Sequence, residues 1–221
     1  MKKIFSLIMC SLLLAALLAG CGGASGDESA AETPAEASEK GIAGSWTADI
    51  DMTDYLNQTL AKDEEIGPYL TLDSFSFQLM ADFREDGTYS MQCDPDSAKA
   101  AIDSLKEQMK GALTTYLEDM ARDSGMDMTA EELLTQAGIT MDELLDEMDE
   151  SFSAEDLVDS MKAEGRYLFE DGRLALSGDP EEDADLSSAG TAVLEDDTLS
   201  ITGGDSVMFD GLYPVVFHRA G

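Results

Sequence analysis

The chain is poor in the residues that most metal and redox chemistry requires. His218 is the sole histidine, and cysteine occurs only at positions 10, 21 and 93. A multi-histidine zinc or iron site is therefore excluded, and no cysteine pair is available to replace it. Basic residues are equally scarce. Thirteen Lys and Arg stand against 47 Asp and Glu, a formal net charge of −34. Nucleic-acid binding rests on basic side chains that neutralise phosphates, so this balance excludes it. It also argues against docking on an anionic membrane face, which wants basic clusters. No nucleophile elbow, P-loop or dinucleotide-binding glycine pattern occurs. His218 reads as an outward side chain next to Arg219, with a catalytic base as the alternative. No cofactor and no metal is expected.

Acid is what the chain has in excess, and its abundance makes it uninformative. A pair of carboxylates at glycosidase separation could arise almost anywhere among so many. The densest loop, Asp179-Pro-Glu-Glu-Asp-Ala-Asp185, offers hard oxygen ligands for Ca²⁺ but lacks EF-hand spacing and the central Gly. The segment from Asp119 to Glu132 fails the same template. Solubility is the plain reading of the charge, and an acidic binding site is the other.

The first strong positive signal is near the N-terminus. Lys2 and Lys3 precede an apolar stretch from Ile4 to Leu18, closed by Leu18-Ala19-Gly20-Cys21 and Gly22-Gly23. A basic head, a short apolar core and a small-residue cleavage site make a secretory signal. The stretch is short for a bilayer of about 30 Å. The tetrad resembles the lipobox of bacterial lipoproteins. That resemblance implies a signal peptide over residues 1–20, a diacylglyceryl group on the Cys21 sulfur, and a membrane-anchored, extracytoplasmic protein. Loss of Lys2 and Lys3 with the signal moves the net charge from −34 to −36. Cys10 would leave as well, so Cys93 would be the one free thiol and no internal disulfide could form. It shares an alternating face with Tyr89 and Met91 and reads as a small buried hydrophobe.

Residues 21–41 form an acidic linker without large apolar side chains, which cannot bury enough surface to offset its ordering entropy. The rest, 42–221, suits one domain carrying an insertion. Gly44–Ile50 reads as a strand and Asp51 to about Ala61 as a helix. Phe75, Phe77, Leu79, Ala81 and Phe83 alternate with polar or outward residues, the period of a half-buried antiparallel strand. Asp86-Gly87 is a hairpin turn signal, and Tyr89, Met91 and Cys93 continue the inner face. Asp171-Gly172 and Asp196-Asp197 mark two more hairpins, and Tyr213, Val215 and Phe217 a last strand. About eight short strands in hairpin succession predict an antiparallel up-and-down barrel or a related sandwich, mainly β with a helical insertion.

The insertion spans about 95–165. Asp94-Pro95 caps a long amphipathic helix whose stripe is Ile102, Leu105, Met109, Leu113 and Tyr116. One phrase then recurs at Thr129, Thr140 and Ser153, each with an acid three residues on, the capping-box arrangement of three short helices. Methionines crowd this region. They fit core filler in short helices, or a pliable apolar surface that accepts a ligand or a partner helix.

Gly44-Ser45-Trp46 on the first strand and Phe217-His218-Arg219 on the last are similar to the signature of lipocalin-like domains. The resemblance implies that Trp46 closes one barrel end with Arg219 packed across it. With the lipobox and Tyr213-Pro-Val-Val-Phe217, the chain also resembles lipoproteins of Gram-positive gut bacteria. The leading function class is a non-catalytic lipoprotein that binds a small hydrophobic ligand in an apolar pocket between barrel and insertion, with Phe75, Phe77, Tyr89, Phe169 and Met109 as candidate lining. The alternative is an envelope interaction module acting through the Met-rich insertion. A pocket open to solvent favours the first; a filled barrel with exposed Met and Leu on the insertion favours the second. An enzyme is the least supported class. The anchor is directly testable. Cys21→Ser is expected to abolish acylation, leaving an uncleaved chain or one released to the medium, as read by fractionation and mass spectrometry. Recovery of a mature, lipid-modified membrane form of that variant would overturn the assignment.

Overall fold

The computed structural model describes residues 41–63, 67–149, 153–204 and 212–221. Cys21 and the linker before residue 41 lie outside the described residues. Eight strands close into one antiparallel barrel in sequential order: β1 (Gly44–Asp51), β2 (Ser76–Phe83), β3 (Thr88–Cys93), β4 (Ala163–Glu170), β5 (Arg173–Leu176), β6 (Gly190–Glu195), β7 (Thr198–Ile201) and β8 (Val215–Arg219). The sandwich alternative is thereby set aside. Full closure removes the sheet edges that would otherwise offer unpaired backbone to other chains.

Alternation places the strands. Phe77, Leu79, Ala81 and Phe83 of β2 are buried, while Ser76, Gln78, Met80 and Asp82 are not. Leu79 pairs with Cys93 and Phe83 with Tyr89, so the two inner faces coincide. Turn chemistry then sets the register. At β4–β5, Asp171 and Gly172 both have positive φ (51° and 71°), as a two-residue primed turn requires. The Asp86-Gly87 signal works differently. Only Gly87 has positive φ (81°), and its N–H donates to the Arg84 carbonyl at 3.0 Å. The loop is thus a three-residue type with Gly in the left-handed position. Phe75 precedes β2 rather than beginning it, and β8 starts at Val215, after Pro214.

The chain divides into two compact units. One holds the described residues up to Ile50, with Phe77–Pro95 and Val158–Gly221; the other is Asp51–Ser76 with Asp96–Leu157. The barrel strands belong to the first. The second is helical: α1 (Thr53–Leu60), α2 (Pro95–Asp123), α3 (Ala130–Ala137) and α4 (Met141–Asp149), with α5 (Ala154–Ser160) beginning within it. The helices of the insertion end at Ser160 and the sheet resumes at Ala163.

The helix boundaries follow from local hydrogen bonding. The Glu132 carboxylate accepts from the Thr129 N–H at 2.9 Å while Thr129 Oγ1 accepts from the Glu132 N–H at 3.3 Å. Thr140 with Glu143, and Ser153 with Asp156, repeat this reciprocal pattern. Each box satisfies donors that a helix start leaves orphaned. The start of α1 carries no capping box. Asp51 does not cap the helix but accepts from the Thr53 N–H and hydroxyl, an Asx turn one residue ahead of it.

Residues 67–73 carried no periodic signal, yet the segment they begin is fastened into the helical unit by two side-chain amides. Asn57 donates to the Leu72 carbonyl (3.0 Å) and accepts from its N–H (2.7 Å), as a neighbouring strand would. Gln108 of α2 accepts from the Asp73 N–H (2.6 Å) and donates to the Ser74 carbonyl (3.0 Å). Leu70 and Leu72 are buried as a result.

Close backbone approach fixes one barrel position. A Cβ on Gly165 of β4 would lie 2.0 Å from the Ser177 carbonyl oxygen and 3.2 Å from the Tyr89 ring. Backbone cannot yield as a side-chain tip can. Gly165→Ala is therefore expected to destabilise the barrel by about 1–3 kcal/mol, the usual cost of overpacking. Urea unfolding followed through Trp46, the single tryptophan, measures it; an unchanged midpoint would contradict the packing described.

Candidate functional site

At one end of the barrel, the sheet is closed where β1 meets β8. Trp46 pairs with Arg219 and Thr47 with His218 across that seam. The Arg219 guanidinium carbon lies 4.2 Å from the Trp46 ring centroid, and Trp46 is 1% exposed. A stacked cation of this kind contributes about 0.5–2 kcal/mol. Three consecutive carbonyls of the segment before β1 are captured there. Arg219 donates to Gly41 (3.2 Å) and Ala43 (2.8 Å), and the Trp46 indole N–H donates to Ile42 (2.8 Å). Arg219 Nε is 3.2 Å from Asp197 Oδ1, yet the group is unsatisfied by hydrogen-bond geometry. The distance is right and the angle is not, so the contact is an ion pair only. Asp197 is largely exposed, which keeps that pair weak.

Gly44 explains why this motif begins with glycine. Its φ is 133°, and a Cβ there would stand 2.5 Å from Arg219 Nη1. The left-handed backbone and the missing side chain together admit the guanidinium.

Inside the barrel, the inward side chains of β1, β2, β3, β7 and β8 are packed. Leu199, Phe217 and Cys93 have no accessible surface, and none of their inward neighbours exceeds 5%. A calyx wide enough for a lipid would leave its lining side chains open to the space inside. The β4–β6 wall is looser: Tyr167, Phe169, Leu176 and Leu194 are half-buried. Phe83 meets Tyr167 edge-on at 5.0 Å and stacks near Tyr89 at 6.1 Å. The tyrosines are anchored at their tips. Tyr89 donates to the Ser177 carbonyl (3.1 Å) and Tyr167 to the Arg84 carbonyl (2.8 Å). Burial raises both phenol pKa values, with Asp86 and Glu85 adding to the rise at Tyr167. Both phenols donate from positions fixed by these bonds.

The helical unit contains an apolar cavity lined by Tyr69, Leu70, Met109, Ala112, Leu113 and Tyr116. Its volume is about 10 Å³, roughly the space of one water. Tyr69 and Tyr116 meet edge-on there at 5.4 Å. Burial raises the Tyr69 pKa, and the nearby Asp119 and Asp123 charges reinforce the shift.

The five candidate lining residues are thus divided. Phe77, Tyr89 and Phe169 belong to the barrel unit, Phe75 and Met109 to the helical unit. Phe77, Tyr89, Phe75 and Met109 are buried; Met109 borders the small cavity and Phe169 is half-buried. Tyr69 and Leu70 escaped sequence reasoning because they sit on an irregular segment. The Asn57 and Gln108 amides that hold it carry no sequence motif.

His218 projects outward and is exposed. The acidic loop is used locally: Asp179 accepts from the Glu181 N–H, Asp185 from Ser187, and Asp183 pairs with Arg166 at 3.1 Å. Among the described residues, no group of three or more His, Cys, Asp or Glu is placed to hold a metal ion. Several acids have structural duties instead. Asp51, Asp86, Asp156 and Asp185 have lowered pKa values, first through a Ser or Thr hydroxyl two or three residues away, then through that residue's backbone N–H. Cys93 is buried and in no disulfide, its thiol directed at the Asp94 carbonyl at 3.6 Å, and no described helix is long and apolar enough to cross a membrane.

No family model matches the chain, and neither a curated protein nor a solved structure matches it.

The closed end makes a measurable commitment. Trp46→Ala is expected to cost about 3–5 kcal/mol, as for a large aromatic lost from a core. Gly44→Ala should displace Arg219 and red-shift the Trp46 emission while the far-UV spectrum stays native. Emission unchanged in Gly44→Ala would show that the guanidinium does not depend on the missing Cβ.

Proposed function

We propose that this protein is an extracytoplasmic lipoprotein, tethered to the membrane through Cys21, that acts by binding and not by catalysis. Its helical unit supplies the binding surface, and the barrel serves as the scaffold. The carrying observation is the packed inner face of the barrel, where Phe217, Leu199 and Cys93 have no accessible surface. A filled barrel favours surface recognition over a ligand held within. The two exposed large apolar side chains of the helical unit among the described residues, Met120 (37%) and Met126 (39%), are both pliable methionines. Anchoring itself is supported by the lipobox alone. The Trp46–Arg219 contact supports a lipocalin-like ancestry for the barrel, with its interior filled.

A second reading, binding of a small hydrophobic ligand, is favoured by the apolar cavity beside Met109. At one water's volume it would have to enlarge by side-chain rearrangement before it could hold a lipid. Native mass spectrometry of the intact protein, followed by solvent extraction, separates the two. Surface recognition predicts only the mass of the acylated chain. A stoichiometric, extractable hydrophobic molecule would establish the second reading in its place.

A further inference from the structure

The C-terminal half of α2 carries an apolar strip that its own unit leaves incompletely covered. Tyr116 and Met120 lie four residues apart on one helix face. Tyr69 packs edge-on against Tyr116 at 5.4 Å. Met126 follows the end of α2, and its N–H donates back to the Ala121 carbonyl at 2.9 Å, which keeps it beside the last turn. Tyr69 and Tyr116 are half-buried, and Met120 and Met126 are exposed. Behind them Leu117 packs with Ala130, Leu134 and Ile139 of α3 and its flank, which gives the strip a firm base. Leu133 and Leu144 extend the partly covered apolar surface along α3 and α4.

The surroundings of this strip have one sign. Residues 110–146 carry nine acids against two bases, Lys110 and Arg122. Both bases are already engaged, Lys110 with Asp142 at 3.4 Å and Arg122 with Asp119. Asp119 and Asp123, whose charges act on Tyr69, lie beside the strip on the helix, and Asp127 follows just past its end. An anionic lipid surface would be repelled here. An apolar strip of methionine and tyrosine framed by acids is complementary to a helix with one apolar face and lysine or arginine beside it. Methionine adapts its shape to such a face, and tyrosine adds contact area at low entropic cost.

We propose that the strip formed by Tyr69, Tyr116, Met120 and Met126 docks a basic amphipathic helix of a partner protein. The proposal rests on the reading of the helical unit as the binding surface and names the partner's chemistry. The probe is a labelled Leu/Lys peptide of about five helical turns (~18 residues), with its leucines on one face. An isomer of equal composition has the leucines spread around the helix. Purified full-length protein is titrated into each and binding is read by fluorescence anisotropy. The amphipathic peptide is expected to bind at least tenfold more tightly than the isomer, and raised salt should weaken it. Met120→Gln combined with Met126→Gln should lose at least tenfold. Both side chains are exposed, so the fold should persist, and circular dichroism verifies it. Equal binding of the two peptides, no binding of either, or full binding by the folded double variant would each overturn the proposal. Those results leave the native-mass experiment untouched, so failure of the partner chemistry is distinguishable from failure of the surface-binding reading.

Discussion

Closure of the sheet at the seam between its first and last strands is the constraint on which the barrel depends. The strands pair in sequence order, most of them through short hairpin connections, but β1 and β8 must meet across the whole domain. Their register is short, with Trp46 opposite Arg219 and Thr47 opposite His218. Strand pairing of that length is a thin lock by itself. The Arg219 side chain strengthens it by lying over Trp46 and gripping the carbonyls of Gly41 and Ala43. A charge-assisted hydrogen bond is stronger than a neutral one, and these are placed where an open edge would otherwise form. Gly44 is the enabling residue, since any side chain there would stand in the guanidinium's place.

The excess of acid has two consequences that pull against each other. Most carboxylates are solvated, keeping the chain soluble while adding self-repulsion. A subset is used to define local structure. Asp86 and Asp51 accept from Thr residues two positions on, while Glu132, Glu143 and Asp156 complete capping boxes. Acids at helix starts also face the positive end of the dipole, so part of the charge is stabilising where it stands. The same charge, concentrated around the methionines of the helical unit, restricts which partner could approach.

The helical unit shows how irregular chain is held without a sheet. Residues 72–75 present backbone groups that need partners, since unpaired buried groups are costly. Asn57, Gln108 and Thr53 supply them: two side-chain amides and a hydroxyl do what a neighbouring strand would do. Gln108 joins the β1–β2 connection to the large insertion in one compact unit, although it stands 35 residues from Asp73.

Periodicity and local chemistry were enough to specify much of this protein. Alternation at Phe77–Phe83, the hairpin signal at Asp171-Gly172 and the three hydroxyl–acid phrases depend on neighbours only a few residues away, so the chain declares them directly. The long stripe of α2 is of the same kind. What required the tertiary structure were relations between distant residues. That the inner faces of β1, β2, β3, β7 and β8 are packed depends on how side chains from strands far apart in sequence meet, which no single strand's pattern encodes. Phe75 and Met109 fall in one unit and Phe77, Tyr89 and Phe169 in the other because contact, not hydrophobicity, assigns them. Tyr69 and Leu70 had no period to reveal them, and their burial follows from two amides whose partners lie 15 and about 35 residues away. Local rules wrote the elements; packing density and long-range hydrogen bonding decided which surfaces they left free.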